Sequence, residues 1–274
     1  MSIMLLKAIG VAAGILAFMI CGISDAFATL DWLWVLPAGF LGCAAALVAA
    51  AFLILCFFCA LVDMDKPRDR DHKFYRWLTY RYVEAIFTLL RMRVHTRGME
   101  MLPQEGRFLL VCNHLNDMDP VTLLGCFQKS QLAFISKREN DQKFLVGKLM
   151  HQLLCQPINR ENNREALRTI LRCIEIIQKD MASIAVFPEG YTSRDGKLHS
   201  FRHGVFKIAQ KAQVPIVVCT LQNTQYIFRN AKRLKPTDVY LHLLAVIPPE
   251  ELKGVTATQI GERVHAMMAE DLGE

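Results

Sequence analysis

A histidine and two aspartates follow directly on an apolar run in the segment VCNHLNDMDP, at 111–120. His114 can accept a proton near neutral pH, because the ordinary pKa of a histidine lies close to that range. A carboxylate on the other ring nitrogen would fix the tautomer and stabilise the protonated ring. Asp117 and Asp119 are both close enough in sequence. These residues predict that His114 is a general base, with either Asp117 or Asp119 as its carboxylate partner.

Asp119 also has a purely structural interpretation, because it directly precedes Pro120. A carboxylate at the N-cap, followed by proline in the first turn, is a common way to begin a helix. The two interpretations are compatible, since a capped turn would hold the carboxylate rigidly. Cys112 ends the apolar run and is expected to pack in the core as a small hydrophobe.

The chain contains no G-x-S-x-G nucleophile elbow beside this base. A base without a protein nucleophile favours direct attack by a hydroxyl group of a substrate. One histidine and one aspartate are a poor ligand set for a metal ion, so no metal site is expected.

Segments typical of strands and helices alternate after Thr96. This alternation predicts an α/β fold with a mostly parallel sheet flanked by helices. The strand segments are nearly continuous apolar runs, as expected when both faces of a sheet are covered. The predicted strands are 107–112, 131–136, 155–158, 182–187, 214–220 and 239–247, and the predicted helices begin at about 120 and cover about 141–154, 162–179, 203–212 and 256–272.

Polar side chains follow four of these predicted strands. Ligands of open α/β sheets bind outside the carboxyl ends of the strands, so the four loops are expected at one edge. His114 and Asp119 follow the first strand, and the cations Lys137, Arg160 and Arg194 follow later ones. Arginine binds oxyanions such as phosphate in a bidentate manner. Turn formation would explain any one of these loops, but it explains all four poorly.

Two long apolar stretches, 3–24 and 32–62, precede this region. Each is long enough for a helix that crosses a bilayer, which takes about 20 residues. The link DAFATLD between them has no Lys or Arg, whereas DMDKPRDRDHK follows the second stretch. The positive-inside rule therefore predicts a protein of the cell membrane whose main domain faces the cytoplasm. Signal-peptidase cleavage after Ala28 and a hairpin inserted from one side are open alternatives.

The predicted domains are a membrane segment at 1–63, an amphipathic helix and linker at 64–95, and the α/β domain at 96–274. Apolar and aromatic residues recur at helical spacing between 74 and 90, in a helix that lies in the membrane interface or packs on the domain core. Residues after 63 carry 31 Lys and Arg (32 minus one) and 23 Asp and Glu (26 minus three), a formal charge of +8. Anionic lipids and phosphorylated substrates are therefore the expected partners, and nucleic acid is not.

Four segments resemble the motifs of the glycerolipid acyltransferases of the 1-acyl-sn-glycerol-3-phosphate acyltransferase type. NHLNDMDP at 113–120 is similar to the NHxxxxD motif, and FPEG at 187–190 is similar to the third motif. INR at 158–160 resembles the second motif and VPIV at 214–217 the fourth. The order agrees, and the resemblance covers about 75–255. The first and third motifs, about 70 residues apart, form a strong signal together.

The resemblance implies an integral membrane enzyme that moves an acyl group from an acyl thioester to the free hydroxyl of lysophosphatidic acid. His114 would be the general base with Asp119 as its partner, and Arg160 would hold the acceptor phosphate. No cofactor is implied, and the donor is acyl-CoA or acyl carrier protein. The loops and the motifs together predict these substrate-binding residues: Asn113, Lys137, Arg160, Phe187, Pro188, Glu189, Gly190 and Arg194.

The chain departs from the family pattern twice, both times near the acceptor site. YTSR follows FPEG where the family often has Thr-Arg-Ser, and Arg194 and Lys197 are the candidate substitutes for that arginine. Asn159 stands where an aspartate often precedes the arginine of the second motif. Three alternatives stay open: an acyltransferase for another lysophospholipid or hydroxylated lipid, a hydrolase that uses water, and a non-catalytic membrane protein that binds anionic lipid.

Overall fold

The structure is a computed structural model that describes residues 4–193 and 195–274. The chain folds as two compact units, Met1–Asp63 and Met64–Glu274. The first unit contains two helices, Met4–Ile23 (α1) and Trp32–Ala60 (α2). Both are long and apolar enough to cross a membrane, by length and composition. The two apolar helices agree with the predicted stretches, and their insertion into a bilayer stays a prediction.

Small residues lie where α1 and α2 approach each other. Ala13, Ala17 and Cys21 are fully buried and recur every four residues along α1. A Cβ atom at Gly39 of α2 would lie 3.5 Å from the Cβ atom of Ala17. Small side chains allow two helix backbones to pack closely, as helices do within lipid.

The second unit is built on a seven-stranded sheet. In chain order its strands are Met92–Arg97, Leu109–Cys112, Leu132–Lys137, Gln156–Ile158, Ser183–Val186, Ile216–Gln222 and Thr237–Ile247, numbered β1 to β7. Their order in the sheet is β1-β7-β6-β2-β5-β3-β4. Neighbours from β6 to β4 are parallel. Strand β7 is antiparallel to β6, and β1 is parallel to β7, so these two strands run opposite to the other five.

Helices cover both faces of this sheet, and alternate strand residues enter two separate cores. Leu109 and Val111 of β2 belong to one core, and Leu110 and Cys112 belong to the other. Burial on both faces explains the unbroken apolar run at this strand. The helices of the unit are Lys73–Leu89 (α3), Asp119–Cys126 (α4), Phe144–Gln152 (α5), Asn163–Gln178 (α6), Lys207–Ala212 (α7), Ile227–Lys232 (α8) and Ala257–Leu272 (α9). The predicted α/β class, with a mostly parallel sheet flanked by helices, is confirmed.

Helix α3 packs on the core that contains Leu110 through residues such as Val83. Its Arg76 is 4% exposed and forms an ion pair with Asp71, with 2.7 Å between Nε and Oδ2. Phe74 and Trp77 remain exposed on the same helix, 37% and 55% respectively. One face of α3 therefore belongs to the domain, and contact of the exposed aromatic residues with a membrane stays a prediction.

Two elements are absent from the sequence-based prediction. Strand β1 lies at 92–97 and contains the predicted domain boundary between 95 and 96. Its sequence MRVHTR has little apolar character because it lies at the edge of the sheet, where only Met92 is buried. Helix α8 has six residues, too few for a periodic pattern to show.

Candidate active site

A cavity of about 800 Å³ opens at the carboxyl ends of β2, β3, β4 and β5. The predicted residues His114, Lys137 and Arg160 all line it, although they are distant in sequence. They meet because the carboxyl ends of parallel strands lie at one edge of the sheet. Asn162 accepts hydrogen bonds from the backbone N–H groups of Arg164 and Glu165, and this cap fixes the start of α6 just after Arg160.

His114 and Asp119 form a direct pair, with 2.8 Å between Nδ1 and Oδ2. Asp119 is fully buried, and its Oδ2 atom also accepts the backbone N–H groups of Leu115 and Asn116, at 2.6 and 2.8 Å. An ionised carboxylate only accepts hydrogen bonds, so Nδ1 of His114 carries the proton. The other ring nitrogen, Nε2, therefore carries the lone pair that accepts a hydroxyl proton.

Asp119 does not cap α4 in the way that Pro120 suggested. It is the first residue of the helix, and the N-cap position is Met118, which makes no side-chain cap bond. The carboxylate turns back to the preceding loop and to the imidazole instead. The sequence supports both roles equally, and only the fold separates them.

Two contacts fix the plane and outer edge of the His114 ring. The ring of Phe187 stacks on it, with 4.2 Å between centroids and 19° between planes. Thr192 lies on the cavity side, with 3.2 Å between its Oγ1 atom and Nε2 of His114. The stack comes from the predicted Phe187, whereas the role of Thr192 has no signal in the sequence apart from its position just after FPEG.

Glu189 joins the loops that follow β2 and β5. It is 1% exposed, and its Oε1 and Oε2 atoms accept the backbone N–H groups of His114 and His199, at 2.8 and 3.1 Å. Burial raises the pKa of the Glu189 carboxyl above its ordinary value, and the two backbone hydrogen bonds oppose that effect. Glu189 shapes the site by holding its backbone, and it does not line the cavity.

Asn113 and Pro188, both predicted as substrate-binding residues, contact backbone rather than the cavity. The Asn113 amide donates to the carbonyl oxygen of Leu221 at 2.9 Å and accepts from its N–H at 2.7 Å, which ties β2 to β6. The carbonyl oxygen of Pro188 accepts the N–H of Arg202 at 2.8 Å. Both residues position the loops around the site.

Gly190 and Arg202 are in close contact. Gly190 has a φ of +81°, and a Cβ atom there would lie 2.9 Å from Nε of Arg202. Only glycine adopts this conformation without strain and leaves room for the guanidinium group. The sequence analysis missed Arg202, because it lies twelve residues after the FPEG motif and no local pattern links the two.

Three basic side chains, Lys137, Lys143 and Arg160, line the cavity together with the acidic Asp117, Glu139 and Asp195. Arg160 forms no ion pair among the described residues. Burial, and then the nearby charge of Arg202, lower the pKa of the Arg160 guanidinium, although Glu139 opposes this. Lys137 is exposed and pairs with Glu139 at 3.3 Å. Arg194 lies outside the described residues, and Lys197 does not line the cavity.

The described part of the chain shows no metal site beside His114, and the nearby Cys112 is not a reactive thiol. Burial raises the pKa of the Cys112 thiol well above its ordinary value, so this thiol is a core residue. Among residues 4–193 and 195–274, no three His, Cys, Asp or Glu side chains are grouped as a metal site.

The fold is shared with a known acyltransferase. The crystal structure of the 1-acyl-sn-glycerophosphate acyltransferase PlsC from Thermotoga maritima matches with a TM-score of 0.62 at 22% identity, over 80% of this chain and 86% of that one. Residues 93–222 match the family model described as Acyltransferase. This region therefore belongs to the acyltransferase family, as the motifs predicted.

Two proteins that are similar in sequence are named 1-acyl-sn-glycerol-3-phosphate acyltransferases. A chloroplast 1-acyl-sn-glycerol-3-phosphate acyltransferase of Arabidopsis thaliana is 30% identical over 191 residues, covering 68% of this chain. A probable 1-acyl-sn-glycerol-3-phosphate acyltransferase of Mycoplasma pneumoniae is 30% identical over 164 residues, covering 58% of this chain. The matched regions span 51% and 60% of these relatives.

Proposed function

We propose that the protein transfers a fatty acyl group from an acyl thioester to the free hydroxyl of lysophosphatidic acid, forming phosphatidic acid. The observation that carries this proposal is the His114–Asp119 pair, 2.8 Å apart, beside a cavity whose lining includes Arg160 and Lys137. The names of the two relatives support the choice of acceptor.

The chemistry needs one base and no protein nucleophile. Nε2 of His114 takes the proton of the acceptor hydroxyl while its oxygen attacks the thioester carbonyl carbon. The carbon–sulfur bond then breaks, and the proton passes from His114 to the departing thiolate. The buried Asp119 carboxylate stabilises the protonated ring between these steps, which is the usual role of such a partner.

The acceptor phosphate is proposed to bind at Arg160. This guanidinium lines the cavity without an ion-pair partner, and the charge of Arg202 lies near it. Two guanidinium groups that are close together repel each other, and a bound dianion would relieve that repulsion. Lys137 adds a third positive charge at the same cavity.

The enzyme is proposed to be membrane-bound, with its catalytic domain in the cytoplasm. Helices α1 and α2 supply the anchor, and the distribution of Lys and Arg supplies the orientation. Acyl-CoA and acyl carrier protein are both anionic donors, which the formal charge of +8 after residue 63 would attract.

The test is an assay of the full chain in proteoliposomes, with both donor types and a panel of lysolipids. We expect phosphatidic acid from lysophosphatidic acid, and a loss of about 10²–10⁴-fold in His114→Ala, the usual contribution of a general base. His95→Ala is the matched control, because His95 also pairs with an aspartate but lies exposed on β1. Preference for an acceptor without a phosphomonoester would contradict the assigned acceptor, and full activity of His114→Ala would contradict the base.

A further inference from the structure

In the protein without substrate, the Nε2 atom of His114 already has a hydrogen-bond partner. Nδ1 donates its proton to Asp119, so Nε2 can only accept a hydrogen bond. The group that supplies it is the Thr192 hydroxyl, 3.2 Å away. The Thr192 hydroxyl therefore lies where an acceptor hydroxyl would have to lie to lose its proton to His114.

The position of Thr192 is fixed by its neighbours along the chain. The backbone N–H of Ser193 donates to the carbonyl oxygen of His114 at 2.7 Å, so the threonine loop is attached to the base itself. The Ser193 hydroxyl binds the carboxylate of Asp195 and the carbonyl oxygen of Lys197, at 2.8 and 2.7 Å. Glu189 holds the other end of the same loop to the His114 backbone. The contact between Thr192 and His114 thus belongs to a closed network.

An occupied base nitrogen affects water and the lipid acceptor differently. Water must displace the threonine hydroxyl without any other anchor in the cavity. An acceptor that is held by its phosphate delivers its hydroxyl at a high effective concentration, and so competes better for the same nitrogen. Occupation of Nε2 by Thr192 is therefore a selective obstacle to hydrolysis of the thioester.

We propose that Thr192 is a positioning residue that suppresses hydrolysis of the acyl donor until an acceptor displaces its hydroxyl from His114. This inference rests on the proposed acyl transfer, because it assigns a further role at the same base. It adds no covalent step: the hydroxyl moves aside, and the acceptor oxygen attacks the donor.

The test compares acyl-CoA hydrolysis with acyl transfer in the full chain in proteoliposomes. Release of free fatty acid is measured without acceptor, and phosphatidic acid is measured with lysophosphatidic acid. We expect Thr192→Val to raise the ratio of hydrolysis to transfer by about twofold to tenfold, the range that one net hydrogen bond allows. Thr192→Ser should keep the ratio of the wild-type protein, because it keeps the hydroxyl.

Three controls isolate the effect. Thr96→Val makes the same substitution on β1, which runs opposite to β2, and should leave the ratio unchanged. The double variant His114→Ala and Thr192→Val should lose the added hydrolysis, since that hydrolysis requires the base. Thr192→Ala removes the same hydroxyl, and it replaces Thr192→Val in the test if thermal unfolding shows that Thr192→Val is not folded.

An unchanged ratio in Thr192→Val and Thr192→Ala would overturn the proposal, and so would an equal loss of both reactions. An acyl adduct on Thr192, detected by mass spectrometry of protein incubated with acyl-CoA alone, would overturn it too, because the hydroxyl would then be a nucleophile. These outcomes differ from failure of the proposed function, in which the wild-type protein itself forms no phosphatidic acid.

Discussion

The Glu189 carboxylate lies 2.8 Å from the backbone nitrogen of His114 and so ties the FPEG loop to the proposed general base. Its second oxygen accepts the backbone N–H of His199. Both oxygens of a nearly fully buried group are therefore used for the architecture of the site. A carboxylate is required here, since each oxygen must accept from a main-chain donor.

Glu189→Gln should lower both stability and transfer. The amide keeps one accepting oxygen, but its NH₂ group would face a backbone N–H that has lost its acceptor. An unsatisfied buried donor costs about 1–3 kcal/mol in the free energy of unfolding. Chemical denaturation and the transfer assay measure the two effects. Glu251→Gln changes an exposed glutamate outside the cavity and is the control, and equal behaviour of the two variants would contradict the structural role of Glu189.

Asp119→Asn should reduce the rate constant of transfer by about 10²–10⁴-fold with little effect on acceptor binding. The amide cannot stabilise the protonated imidazole, and its NH₂ group would favour the wrong histidine tautomer. Steady-state kinetics should show a loss in kcat rather than a rise in KM. Asp238→Asn is the matched control, because Asp238 pairs with His95 at 2.8 Å away from the cavity. A rise confined to KM would argue that Asp119 serves binding.

Arg160→Gln should weaken binding of a phosphorylated acceptor and spare an acceptor that has no phosphate. A hydrogen bond to a charged group contributes about 1.5–3 kcal/mol, which corresponds to roughly a 10–100-fold rise in KM. Lysophosphatidic acid and monoacylglycerol are the acceptors to compare. Arg202→Gln should show a smaller rise in the same direction.

Arg263→Gln is the control for Arg160→Gln, because it removes an exposed arginine that is paired with Glu251. It should leave the KM for lysophosphatidic acid and the KM for monoacylglycerol unchanged. If Arg160→Gln raised KM equally for both acceptors, the arginine would serve the donor or the fold rather than the phosphate.

Asp271 should stabilise the protein at neutral pH and lose that effect in acid. Burial alone would raise the pKa of its carboxyl, but the hydrogen bonds from Thr220 and His242 outweigh burial and lower it. A carboxyl whose native pKa is lowered stabilises the fold above its unfolded pKa of about 3.9, and the contribution disappears as the pH falls through the native pKa. The stability difference between wild type and Asp271→Asn should therefore shrink below about pH 4.

Chemical denaturation of the full chain between pH 7 and pH 3 measures that difference. Asp69→Asn, an exposed aspartate with a 3.4 Å contact to Arg172, is the control and should show a smaller dependence. A difference that stayed constant into acid would contradict the lowered pKa of Asp271.

Most of the sheet was predictable because its central strands consist almost entirely of apolar residues. Strands β2 and β5 are buried on both faces, so they appear in the sequence as unbroken apolar runs. Strand β1 has no such run, because only Met92 is buried and Val94 packs partly exposed against the core. Six-residue α8 gives too short a pattern for helical periodicity. Burial, rather than intrinsic strand preference, decided which elements could be predicted.

The candidate site was predictable where motif residues contact each other across short distances in sequence. His114 and Asp119 lie five residues apart, and the NHxxxxD motif that they match indicated their pairing. Thr192 and Arg202 meet the site only through tertiary contacts from the loop after β5. Nor could the sequence show that Glu189 binds backbone groups rather than substrate. A glutamate is the same residue in the sequence whether its carboxylate is buried or lines a cavity.

Among the described residues, the charges that line the cavity follow β2, β3, β4 and β5, and none follows β6 or β7. In the sheet order β6-β2-β5-β3-β4, these charges therefore lie on one side of His114, toward β4, and none lies on the β6 side. A bound molecule with an anionic end and a neutral end therefore has a preferred orientation, in which its anionic end lies on the β4 side of the cavity. Strands β7 and β1 run in the opposite direction, so their carboxyl ends lie at the other edge of the sheet and add no charge to this opening.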